Sequence, residues 1–420
     1  MSNYQPISSL GWIDFSDADK QKVMKVIEML QPDGTVDELG VGVIRNALSD
    51  AMFPGITTIM TRAKYFFIVP RILQTYISKP LKNITIREFL REEENEIMDT
   101  LSVQNDFKDN LGIIGISVAK QNKQLQKRNW KELIRKPSTI YWNGIRTYTI
   151  YKGNFSLSNL LDFIEGKIHY DSKLGYQAAD GETSDDRDAE ANEKIIFSLP
   201  DYSKNWKKEI KIELTPLEAN FLKHKIIDKD PEILLSIVLK KKNIAKEFIG
   251  AKSFHEMCEL PFVRSINGNT QNIIYTARDF WKIIYGAHIR YNIILHGRHG
   301  SEEFKKDCIN SWKWWVEEMN CFDWTLFDRD LMWKITKQHS KVKRFTENFI
   351  NHWMDKIQNK NFNTDNLDDL VEHQEKNNKT SRSKLNPQSD EKYNKWIGIQ
   401  QMNFRFGNAK TIVNDITSVI

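Results

Sequence analysis

The chain is poor in cysteine, lacks any long apolar run and carries no catalytic fingerprint. Its three cysteines, Cys258, Cys308 and Cys321, are an odd and sparse set with no CxxC spacing. That excludes a disulfide framework, fits a reducing compartment and reads as small buried hydrophobes, with no metal template. No stretch approaches the roughly 18 apolar residues of a membrane-spanning helix. Met1–Gln5 does not open on a basic segment leading into an apolar one, so no signal peptide is expected. The expected location is cytoplasmic, with no membrane partner. Walker A, GxGxxG, HExxH and GxSxG patterns are all missing, so no phosphate-cradling loop, zinc helix or nucleophile elbow is expected. No cofactor, no metal and no catalytic residue can be named.

What is present is a polar, helix-forming chain. Hydrophobic residues make up 40% and charged residues 28% of 420 residues, a globular balance that exceeds one ordinary core. The net charge is +5, but it is uneven. Asp180–Glu193 is strongly acidic, so the rest of the chain is more basic than the total, which favours a polyanionic partner.

Apolar periodicity predicts a mainly α protein: a helical N-terminal unit, a mixed middle with a small strand element, and a helical C-terminal bundle. A short extended anchor at Leu10–Ser16 precedes a helix near 18–30 and a turn at Pro32–Thr35. A second helix ends before Phe53-Pro54-Gly55, where Gly55 is expected to take a conformation closed to other residues. A third helical segment, 57–77, contains Pro70, which should kink or divide it. Its Arg62, Lys64 and Arg71 make a helix-turn-helix reader conceivable, against plain helix packing. Aromatic residues around Gly144 suggest the strand pair. Thr215-Pro216-Leu217-Glu218 is a helix start, with proline at the first helical position and an acid in the first turn. Between 359 and 395 aliphatic residues nearly vanish, which reads as a flexible linker. The expected divisions are 1–135, 136–214, 215–358, the linker 359–395, and a docking helix within 396–420.

The richest cluster lies between Phe262 and His299. Arg264, Arg278, Lys282, Arg290 and Arg298 face a single acid, Asp279, among Tyr275, Phe280, Trp281, Tyr285 and Tyr291. Arginine forks suit phosphate, and aromatic faces suit unpaired bases. A second stretch, Lys334 to Arg344, holds five cations and no acid. Arg278, Lys282, Arg290, Arg298, Lys341 and Arg344 are therefore the candidate nucleic-acid-binding residues; helix-end cations and core aromatics are the plainer alternative. Glu209-Ile210-Lys211 has the acid–lysine spacing of metal-dependent nuclease strands, but Asp201 would supply the second acid only in a contrived geometry, and a solvated strand face is the plainer reading.

Several blocks are similar to an uncharacterised bacterial family catalogued only as a domain of unknown function. They are Leu10–Ser16, Gly34–Gly40, Phe53–Ile59 running into Thr61–Phe66, and the tail Phe404–Phe406 with Ile412–Ile416. The resemblance covers both ends of the chain. It implies an accessory protein of mobile or defence-associated operons, found beside helicase or nuclease genes, and transfers no site residue. The expected function is a non-catalytic nucleic-acid-binding or adaptor subunit of an antiviral, restriction-like complex, with helicase or nuclease partner proteins. The alternatives are a protein-binding scaffold and a cryptic metal-dependent nuclease.

Overall fold

A computed structural model describes residues 37–79, 83–124, 131–166, 197–266, 268–388 and 391–420. The anchor, first helix and turn expected before residue 36 lie outside these residues, as does the acidic segment 180–193. Among the described residues the labelled α-helices are, in chain order, α1 (Gly42–Met52), α2 (Tyr65–Ser78), α3 (Ile86–Gln104), α4 (Ile116–Gln124) and α5 (Pro137–Thr147), and residues 157–166 are helical as well. Next come α6 (Pro216–Lys229), α7 (Leu234–Lys240), α8 (Lys242–Gly250), α9 (Phe254–Cys258) and α10 (Pro261–Arg264). The chain continues with α11 (Gly268–His299), α12 (Glu302–Asn320), α13 (Arg329–His339), α14 (Arg344–Gln358), α15 (Thr364–Lys379) and α16 (Phe406–Thr417).

The fold is mainly helical, and the expected small strand element is not formed. Among the described residues β-pairing is confined to one isolated antiparallel bridge, Tyr151 to Phe197. Pro137 sits at the start of α5 and presets its first turn, so Tyr141, Trp142 and Gly144 are helical. The chain divides into two compact units. One comprises the described residues through Arg45 with Asp279–Arg329 and Ser340–Met402; the other comprises Asn46–Arg278, Asp330–His339 and Asn403–Ile420.

In the second unit α2 is the buried element, with every residue from Tyr65 to Leu73 inside. It runs through Pro70 without division. The helix-turn-helix expectation fails here, because the basic residues of this segment face inward. Lys64 Nζ and Arg71 Nη1 each lie 2.8 Å from the Glu218 carboxylate, and Arg62 Nε lies 2.9 Å from Asp415. Glu218 serves twice: it also closes a capping box with Thr215 at the head of α6, where the sequence places a helix start. Gly55 has φ +82°, and a Cβ there would meet Gly144 Cα at 3.2 Å, so the turn and α5 approach at backbone distance.

In the first unit the residues of α11 from Asp279 onward pack with α12, α14 and α15. Trp315 Nε1 donates to Lys282 O at 2.7 Å and Trp353 Nε1 to Ile283 O at 3.0 Å. A Cβ at Gly286 would sit 2.4 Å from the Trp315 ring, so glycine permits that contact. The reading of 359–395 as a flexible linker is corrected: residues 364–379 form α15. Leu367 and Val371 supply a short apolar stripe, and polar contacts do the rest. Gln374 donates to Leu39 O at 2.6 Å, and Asn378 donates to the carbonyls of Asp37 and Glu38.

Candidate functional site

The cations of α11 separate into engaged and open groups. Arg290 is buried and forms a two-pronged pair with Asp368 of α15, both contacts at 2.6 Å, its guanidinium 5.0 Å from the Trp312 ring centroid. Arg298 bonds Leu385 O at 2.8 Å and pairs with Glu372. Arg278 pairs with Glu259 at 3.1 Å and lies over the Tyr275 ring. Lys282 differs: its side chain is 45% exposed and its amine is 3.9 Å from Asp279. Burial raises the Asp368 carboxyl above the usual range against the pull of Arg290.

Lys341, Lys343 and Arg344 are exposed. They occupy the three-residue approach to α14 and its first helical position, and none is paired with a described carboxylate. Lys343 Nζ lies 5.4 Å from the Phe345 ring centroid. Positive charge at a helix N-terminus adds to the positive end of the macrodipole, so local helix energetics do not account for these cations. The first turn of α14 also carries one acid, Glu347, so three cations and one carboxylate surround its first backbone N–H groups.

The histidines of α11 do other work. His288 is fully buried beside Trp281, and burial pushes its ring down to about 3, so it is neutral. His296 and His299 bond the carbonyls of Lys395 and Asn386. Glu209 and Lys211 are exposed on an irregular segment, not on a strand. With Gln104, Asn105, Lys208, Ile210 and Glu213 they line an open cavity of about 310 Å³. Among the described residues no group of three His, Cys, Asp or Glu side chains is gathered to hold a metal.

Sequence reasoning missed the acids that take up Arg290 and Arg298. Asp368 and Glu372 belong to a segment whose polarity hides a helix, and the i, i+4 pair Leu367 and Val371 was the signal available. It also passed over Trp396 as a site residue; this ring stacks on Tyr285 with centroids 5.8 Å apart and planes at 26°.

A helical protein in two compact units, with cations gathered at the head of one helix, is the class that fold and geometry define. Residues 7–419 match the model of a family of unknown function, DUF6361, and the chain belongs to that family. No curated protein and no solved structure matches it. Among the described residues no helix is long and apolar enough to cross a membrane.

Proposed function

We propose that the protein is a non-catalytic nucleic-acid-binding adaptor subunit of a bacterial antiviral, restriction-like complex, in which helicase or nuclease partners supply the chemistry. The observation that carries the binding half is the trio Lys341, Lys343 and Arg344, exposed at the head of α14 where the helix itself disfavours them. Lys282 is the member of the α11 cluster best placed to join, because its side chain is half-exposed and its amine is only loosely paired, 3.9 Å from Asp279. Arg278, Arg290 and Arg298 hold the fold through carboxylates. They would reach phosphate only by giving up those pairs.

The test is binding to a labelled oligonucleotide across a series of salt concentrations, for the parent and for Lys341→Ala/Lys343→Ala/Arg344→Ala. The parent's affinity should fall steeply with salt. The variant's slope should be shallower by about 2 log units per log unit of salt, as expected for three lost phosphate contacts. Absence of binding by the parent, alone and with its co-purifying partners, refutes the reading. It would leave a protein-binding scaffold, for which a separate observation speaks: Trp314 is 55% and Leu326 71% exposed.

A further inference from the structure

From the aromatic pair Tyr285 and Trp396 we infer that the nucleic acid is single-stranded, its bases stacking on this pair and its phosphates meeting Lys282; the inference rests on the binding function proposed above. The two rings are half-buried and stacked, with centroids 5.8 Å apart and planes at 26°. Trp281 lies beside Tyr285, centroids 4.9 Å apart and planes tilted by 48°. Lys282 lies one helical turn before Tyr285 on α11, so the two share a face, and its side chain is half-exposed, with only a 3.9 Å pair to Asp279.

The pair is fixed in place, which separates a platform from a pair of loose surface rings. Trp396 stands on a non-helical segment held to α11 on both sides. Asn292 donates through Nδ2 to Ile397 O and accepts from Ile397 N through Oδ1, both at 2.9 Å. His296 Nε2 lies 3.1 Å from Lys395 O. Rigid positioning lowers the ordering cost of binding. An aromatic pair beside a lysine suits unpaired bases, whose faces are open, and does not suit a duplex, whose bases are already stacked.

Two measurements test this. In the first, a labelled oligothymidylate and a duplex of equal length are titrated with the parent, Tyr285→Leu and Trp396→Leu, with folding followed by circular dichroism. The parent should prefer the single strand. Each leucine variant should bind it about ten-fold or more weakly, as expected for the loss of a stacked base, and should bind the duplex as the parent does. In the second, an oligonucleotide carrying 5-iodouracil is photo-crosslinked to the unaltered protein and the attachment mapped by mass spectrometry. Attachment at Tyr285 or Trp396 supports the inference even where a leucine variant fails to fold. Preference for duplex, unchanged single-strand affinity in both folded variants, or attachment only elsewhere overturns it while the binding function stands. Absence of binding to either oligonucleotide removes both.

Discussion

At the scale of single residues, buried charge shapes this chain. Lys64, Arg71 and Glu218 are all nearly inaccessible, and the carboxylate between two cations offsets part of their desolvation; burial still lowers the Lys64 ammonium from its usual range. Arg71 also lies 4.6 Å from the Tyr202 ring centroid, so its remaining surface meets an aromatic face. Glu38 is handled alike, between Lys379 at 3.2 Å and Lys384.

Glu94, like Glu375, is a buried acid with no ion pair among the described residues. Its carboxyl accepts from Ser138 N at 2.6 Å, yet burial pushes its pKa from 4.5 up to about 7. A raised carboxyl binds its proton more tightly folded than unfolded. This group therefore makes the protein less stable as pH rises from about 4.5 through about 7. Glu94→Gln should remove that slope and stabilise the protein at pH above 7 by on the order of 1–3 kcal/mol, given 1.36 kcal/mol per pKa unit. Melting temperatures of parent and variant across that pH range check this, and parallel curves would show that Glu94 is ionised throughout.

At the scale of elements, two helices show opposite degrees of legibility. The start of α6 is written in four residues, Thr215 to Glu218, because proline geometry and the capping box are local. Helix α15 is not written this way. Its 16 residues are mostly polar, and its docking depends on partners far off in sequence: Arg290, Arg298 and the carbonyls of residues 37–39. Asp368→Ala tests that account. It leaves Arg290, 6% exposed, without its carboxylate. The loss should be about 2–4 kcal/mol, toward the lower side of buried-pair values because the Asp368 side chain is a quarter exposed. Urea unfolding of Asp368→Ala beside Asp368→Asn measures it. A variant as stable as the parent would return Arg290 to the set of cations free for phosphate.

At the scale of the whole molecule, each compact unit gathers segments distant in the chain. The C-terminal segment shows why this matters for stability. Asp415 of α16 accepts from Arg62 and from Ala63 N, Arg405 pairs with Asp50, and Phe406 packs edge-on against Phe248 at 4.9 Å. Phe404 and Arg405 hold φ of 45° and 61°, conformations that side chains other than glycine adopt at a cost. Deleting Asn403–Ile420 would expose the apolar face that α16 covers and leave Arg62 without its acid. The truncated chain should lose the cooperative unfolding of that unit, read by calorimetry and by proteolysis. A truncation that melts as the parent does would show that α16 is an accessory element.

The amino-acid sequence by itself determined the helical class, the start of α6, the glycine turn at Phe53-Pro54-Gly55 and the aromatic, basic character of α11. These follow from periodicity, capping and backbone geometry, which act over a few residues. Tertiary structure alone decided which cations are spent. Arg290 and Lys282 stand eight residues apart in one basic helix, yet one is buried against Asp368 and the other is half-exposed. A cation is taken up or left open according to the acid brought beside it in space, and charge interaction depends on that distance and on burial, neither of which is carried by residue type.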